Sequence, residues 1–198
     1  MISGLVLAAG LSKRMGRPKQ QVMLRGRPML DYAVRSFLAS KAGEVLVVLR
    51  PGIIWQAPDS VKTVVNSASS SGISSSLRAG LKALAPRSEG VVVGLGDKPA
   101  VLASTIDRLI LSHESSDAGI LVPTFRGTRG NPVLFVRSLY PALLKLRGDE
   151  GARALMESIP AAVKEIPVDD EGILLDVNTP ADVPRMEEVL ARLPSDWK

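Results

Sequence analysis

The stretch Gly4-Leu5-Val6-Leu7-Ala8-Ala9-Gly10-Leu11-Ser12-Lys13-Arg14-Met15-Gly16-Arg17-Pro18-Lys19 opens as an apolar run and closes as a glycine loop with four cations in its last seven residues. The apolar residues 4–8, stopped by small residues, read as a strand buried on both faces. Small residues after a strand let the backbone approach a ligand closely, and consecutive N–H groups can cradle phosphates. Arg14 and Lys19 would then neutralise charge from the side. Four like charges in so short a loop repel one another unless an anion sits among them. The spacing is neither a P-loop nor a GxGxxG turn, because five residues separate Gly10 from Gly16 and no Lys-Ser/Thr pair follows.

Outward from this loop, strand-like and helix-like runs alternate. Residues 29–38 place Met29, Ala33, Val34, Phe37 and Leu38 on one helical face. Residues 44–49 and 91–95 are continuous apolar strands, and 61–65 a shorter one. Residues 74–84 and 101–111 return to helical period, with strands expected at 119–122 and 132–136. Helices are expected at 139–146 and 151–159, and late strands at 163–168 and 173–177. Thr179-Pro180-Ala181-Asp182 reads as the start of a last helix, Thr capping and Pro first, that runs to Pro194. The pattern predicts an α/β protein, three layers deep (α/β/α), with a mostly parallel central sheet of Rossmann-like type. Ligands of such sheets bind beyond the carboxyl ends of the strands, where Gly10 and Asp97 fall.

Composition narrows the chemistry. The 198 residues include no cysteine and one histidine, His113, so a disulfide framework, a thiol nucleophile and a Cys/His zinc site are excluded. His113 falls at the end of an expected helix, where the helix dipole accounts for it. Catalysis must rest on carboxylates, Lys and Arg, backbone groups, or a hard metal held by oxygen. One domain spanning 1–198 is expected, burying roughly 70% of its unfolded surface. No apolar run reaches the ~20 residues of a membrane helix, and the apolar start lacks the basic residues of a signal peptide. No membrane partner is expected, and the expected compartment is the cytoplasm. The net charge of +5 is local: residues 1–30 hold Lys13, Arg14, Arg17, Lys19, Arg25 and Arg27 with no acid, leaving 19 basic and 20 acidic groups elsewhere. A local cluster without interleaved aromatics suits a small anion and not a nucleic acid.

The loop closely resembles the LAAGxSxRMGxPK signature of nucleotidyltransferases that activate a phosphorylated acceptor with an NTP. The resemblance continues, in order, through Asn66–Leu77 (NSASSSGISSSL), Gly96-Asp97-Lys98-Pro99, Gly130-Asn131-Pro132-Val133-Leu134-Phe135, Gly148-Asp149-Glu150-Gly151-Ala152-Arg153 and Asp176-Val177-Asn178-Thr179-Pro180-Ala181-Asp182. It is nearest to molybdenum cofactor cytidylyltransferases. The resemblance implies a fold of the nucleotide-diphospho-sugar transferase type, with an NTP-binding half at about 1–100 and an acceptor-binding half at about 101–198. It implies transfer of a nucleotidyl group, CMP from CTP, to the phosphate of the molybdenum-bearing pterin cofactor, with Mg²⁺ as metal and a molybdenum enzyme or its chaperone as a further partner. GTP as donor, a sugar or polyol phosphate as acceptor, and a non-catalytic nucleotide or cofactor carrier are the alternatives.

By the same resemblance, Lys19, Arg14 and Asp97 are the catalytic candidates. Leu7, Ala8, Ala9, Gly10, Ser12, Gly16, Asn66, Gly72 and Ser76 join Arg14 and Lys19 around the nucleotide, and Gly130, Asn131 and Pro132 face the acceptor. Asp97 and Asn178 are the metal ligands, with Asp176 as the fallback. Three positions depart from the pattern. Asn178 offers a neutral amide where an acid is common, although related guanylyltransferases resemble the Asn form. Asn131 replaces a His, and Lys98 stands where Met or Gln is frequent. Ala8-Ala9-Gly10 resembles the cytidylyl branch more than the AGG of the guanylyl branch.

Overall fold

In the computed structural model, residues 1–149 and 151–193 are described; Glu150 of the fifth motif and the expected helix stop at Pro194 lie outside them. The strands are β1 (Ile2–Ala8), β2 (Met23–Leu24), β3 (Arg27–Pro28), β4 (Glu44–Leu49), β5 (Val61–Val65), β6 (Gly90–Leu95), β7 (Ile120–Phe125), β8 (Thr128–Arg129), β9 (Val133–Val136) and β10 (Val163–Pro167). The helices are α1 (Met29–Leu38), α2 (Ile73–Ala83), α3 (Ala103–Glu114), α4 (Tyr140–Lys145), α5 (Gly151–Ser158) and α6 (Asp182–Arg192). Eight strands form one sheet in the order β10-β7-β9-β6-β1-β4-β5, with β8 paired to β7. Pairing is parallel for β1 with β4 and β6, β4 with β5, and β7 with β10, whereas β9 runs antiparallel between β6 and β7.

The central strands β1, β4 and β6 are mostly apolar because both faces of the sheet are covered. Val6, Val47 and Val92 point to one face and pack with Leu30, Val34 and Phe37 of α1 and Ile106 and Leu109 of α3. Leu5, Leu46, Val91 and Val93 point to the other, against Leu77 and Leu81 of α2, Leu143 of α4 and Leu155 of α5. This is the expected Rossmann-like α/β/α arrangement. A third cluster binds Met15, Val22, Leu24 and Tyr32 to Val177 and to Met186 and Leu190 of α6, so the last helix braces the N-terminal loop. His113 lies in the last turn of α3, as its position in sequence suggested.

Two expectations are corrected. Residues 173–177 are not a strand. Ile173 closes a 3₁₀ turn (Glu171–Ile173), its carbonyl accepts from Asn131 N, and Val177 N donates to Asp97 O. These single bonds to loops replace a ladder, while the burial of Ile173 and Val177 explains the apolar pattern. The last helix also starts later than expected, at Asp182. Thr179 does not cap it; its Oγ1 instead donates to Asp182 Oδ2, which also accepts from the N–H groups of Asn178 and Thr179. The short β2–β3 hairpin, which fills the gap between the basic loop and α1, had no periodic signal in the sequence.

Candidate functional site

Strands β1 and β6 are adjacent and parallel, so their carboxyl ends bring the loop after Ala8 beside the Gly96-Asp97 turn. Gly96 N donates to Leu7 O at 3.0 Å and fixes that juxtaposition. Between them opens a cleft of about 430 Å³ lined by the 7–14 loop, Lys19, Gln20, the start of α2, Asp97 and Asp149. The loop is held in shape from within. Ser12 adopts a left-handed backbone (φ 54°), and its Oγ accepts from Lys19 N at 3.0 Å. Buried Gln20 donates through Nε2 to Ala8 O, tying the loop's return to the end of β1.

Lys19 is the centre of the charge arrangement. Its Nζ donates to Asp97 Oδ2 at 3.2 Å and to Asn178 Oδ1 at 2.7 Å, and Arg14 donates to the same Asn178 oxygen at 2.9 Å. Asn178 does not line the cleft itself; it is joined to two cations that do. Its Nδ2 donates to Asp176 Oδ2, and its backbone is fixed by Asp182. Behind Asp97, Lys98 is buried at 8% exposure and donates to Leu175 O at 3.4 Å. Burial pushes its ammonium pKa down, against the pull of Asp176 and Asp97.

Among the described residues, no three His, Asp or Glu side chains gather as a ready-made metal cluster. The donor set nevertheless suits a hard cation. Asp97 Oδ2 and Asn178 Oδ1 already converge on one positive charge, the Lys19 ammonium, and a Mg²⁺-like ion needs few protein oxygens because it keeps several waters.

The opposite wall of the cleft is the start of α2. Gly72 and Ser76 line it, but Asn66 does not. The Asn66 amide is buried, with Nδ2 donating to Ser75 Oγ and Ser76 Oγ and Oδ1 accepting from Ala68 N. It shapes the segment from beneath. Gly16 (φ 71°) is exposed and also outside the lining. Several residues without an assigned role in the sequence reading also reach the cleft, and two of them are held there by side-chain hydrogen bonds. One is Gln20, whose place directly after Lys19 was the available signal. The other is Asp149, whose motif had been noticed; its Oδ1 accepts from Ile73 N at 3.2 Å.

Asp149, Leu7, Ile73 and Leu95 also line a second cavity, of about 590 Å³, so the two spaces share a wall. Its floor is apolar, from Val93, Val122, Val133 and Phe135 of the sheet, facing Leu77 of α2 and Met156 of α5. Polar groups sit at its rim: Arg129, Asn131, Arg153 and Glu157. Gly130 and Asn131 line it, whereas Pro132 does not. Gly130 is needed for close approach, since a Cβ there would meet Ile173 O at 2.6 Å.

The family described as the MobA-like NTP transferase domain matches residues 4–170. The nicotine blue oxidoreductase of Paenarthrobacter nicotinovorans is 35% identical, with 90% of this chain and 92% of that protein covered. The purine catabolism protein PucB of Bacillus subtilis is 31% identical, over 90% and 92%. A probable molybdenum cofactor guanylyltransferase of Pyrococcus furiosus is 26% identical, over 62% and 61%. Among solved structures, Rv0371c from Mycobacterium tuberculosis superposes with a TM-score of 0.84 at 32% identity, over 94% of this chain and 97% of that one. A structure of Rv0371c in complex with manganese superposes with a TM-score of 0.80 at 30% identity, over 94% and 98%.

Proposed function

This chain belongs to the MobA-like NTP transferase family, and from that premise we propose that it transfers CMP from CTP to the terminal phosphate of the molybdenum-bearing pterin cofactor, releasing pyrophosphate. Nucleotidyl transfer is the activity of the family. Donor, acceptor and Mg²⁺ as metal are our reading, with GTP and polyol phosphates as the competing substrates. The observation that carries it is the convergence of Arg14, Lys19, Asp97 and Asn178 at the adjoining ends of β1 and β6.

In this reading the triphosphate lies along the 7–14 loop, and the base packs toward Gly72 and Ser76. The acceptor occupies the second cavity, with its phosphate directed past Asp149 into the cleft. An acceptor oxygen attacks the α-phosphorus, a P–O bond forms, and the bond to the β-phosphate oxygen breaks, so that pyrophosphate leaves with the electron pair. The protein does little bond-making; it aligns two anions and balances charge that shifts to the leaving group. Lys19 and Arg14 supply that balance from one side. Asp97 and Asn178, with Asp176 behind, would hold a divalent ion. That ion would neutralise the phosphates and polarise the α-phosphorus. The manganese complex of Rv0371c supports a divalent ion in this fold.

Pyrophosphate release is to be measured with CTP, GTP, ATP and UTP, each with the molybdenum cofactor or with a polyol phosphate. CTP with the molybdenum cofactor should exceed every other pair by at least about tenfold; a faster pair would replace this assignment. The apolar floor of the second cavity and the name of the Paenarthrobacter relative favour a second reading, redox turnover of an apolar ring compound. Turnover of such a compound with a reduced nicotinamide or flavin, and no pyrophosphate from any pair, would select it.

A further inference from the structure

We propose that Lys98 is a built-in cation that keeps a free divalent metal out of the Asp97–Asn178 site, so that the metal enters only as its complex with the nucleotide. The identity of the nucleotide rests on the reading above; the exclusion of the free metal does not.

Lys98 is unusual in being buried with no carboxylate at ion-pair distance among the described residues. Burying an ammonium is costly unless nearby negative charge compensates it, and here Asp176 and Asp97 favour the charged form. Two bonds hold it at the seam between two site segments. Its Nζ donates to Leu175 O at 3.4 Å, and the preceding residue, Asp97, accepts through its carbonyl from Val177 N at 3.0 Å. The ammonium is thereby fixed next to the chain positions of both site carboxylates, Asp97 and Asp176. Lys98 lines neither cavity, so it does not reach a substrate in either. Its charge acts through the carboxylates.

The charge count follows. Asp97, Asp176 and Asp182, the last bonded to Asn178 N, supply three negative charges around the site, Asn178 is neutral, and Lys19, Arg14 and Lys98 supply three positive ones. Affinity for a hard cation rises with the negative charge of its ligand set. A free divalent ion therefore meets a set with no net negative charge. A metal–triphosphate complex still carries net negative charge, and it engages Arg14 and Lys19 itself. Without Lys98 the set would carry one net negative charge, and the metal alone would bind more tightly.

Mn²⁺ alone is the probe, titrated into nucleotide-free protein while the electron paramagnetic resonance signal of free Mn²⁺ is followed. The wild type should bind weakly, and a non-hydrolysable CTP or GTP analogue should tighten binding strongly. Lys98→Met should bind Mn²⁺ alone at least about tenfold tighter than wild type, and Lys98→Arg should behave as wild type. Tight Mn²⁺ binding by nucleotide-free wild type would overturn the proposal. Equal affinities for wild type and Lys98→Met, with only the melting temperature lowered, would also overturn it and make Lys98 a structural prop. If neither analogue changes Mn²⁺ binding while Lys98→Met still binds tighter, the nucleotide reading fails and the exclusion by Lys98 stands.

Discussion

Lys19 and Asn178, 159 positions apart in the chain, meet at 2.7 Å from Nζ to Oδ1. This contact couples the first ligand loop to the last segment before α6. It is supported from both sides: Ser12 Oγ accepts from Lys19 N, and Asp182 accepts from Asn178 N. A cation held between an amide oxygen and the Asp97 carboxylate is poised to exchange those partners for phosphate oxygens.

Lys19→Ala and Asp97→Ala should each lower turnover by at least about 10²-fold, the magnitude typical of removing one group that stabilises transition-state charge. Both side chains are partly exposed at the cleft, so the fold should survive. Lys19→Arg should not restore activity, because a planar guanidinium replaces a compact ammonium between two oxygens. Steady-state pyrophosphate release beside circular dichroism checks all three. Near-wild-type release from either Ala variant would remove that residue from the mechanism.

Asn131 belongs to the second cavity and lies apart from the charge cluster. Asn131→Ala should raise the acceptor KM by about tenfold, the equivalent of one lost hydrogen bond, and leave the NTP KM unchanged. Equal rises in both would mean that this cavity does not hold the acceptor.

Much of this architecture was legible in the chain because two-sided burial leaves its mark on the central strands β1, β4 and β6. Runs such as Ile2–Ala8 and Gly90–Leu95 need no partner to be recognised, and their ends located Gly10 and Asp97 on one edge. Residues 173–177 misled for the same reason. Ile173 and Val177 are fully buried, yet their backbone groups bond to loops, and hydropathy reports burial without reporting pairing. Asn66 shows another limit. Its neighbours in sequence mark a ligand wall, but only the fold decides that the amide turns inward to Ser75 and Ser76. The reach of Asp149 into both cavities depends on how residues 147–149 pack against α2, which no spacing encodes.

Two aspartates should give folding stability opposite pH dependences. Asp170 is buried; burial pushes its pKa above the ordinary value, against hydrogen bonds from Thr105 Oγ1, Leu102 N and Gly172 N. The native state thus holds this proton more tightly than the unfolded chain. Its contribution is full below the ordinary aspartate pKa of about 3.9 and is lost as pH rises through the raised native value. Asp182 is the reverse. Bonds from Asn178 N and from Thr179 N and Oγ1 lower its pKa, so its contribution is present above the ordinary value and lost as pH falls through the native one. Urea unfolding across this range should show the Asp170→Asn deficit growing toward acid and the Asp182→Asn deficit shrinking there. The same trend in both variants would contradict these environments.

Gly72 is the point where the wall of the cleft depends on a missing side chain. Its φ of 87° is a conformation that a Cβ penalises. A Cβ there would also lie 2.3 Å from the carbonyl carbon of Gly148 and 2.4 Å from its oxygen. Those are backbone atoms and cannot swing aside, and Gly148 O also accepts from Ser74 N. Gly72→Ala must therefore displace the 147–149 loop from the start of α2, carrying Asp149 away from Ile73 N. Backbone strain and lost packing together should cost about 2–4 kcal/mol, read as a lower urea midpoint. The same displacement opens the wall between the two cavities, so the surviving folded fraction should show raised KM values for both substrates with less effect on kcat. A Gly72→Ala protein with the wild-type midpoint and both KM values unchanged would show that the loop does not press on α2.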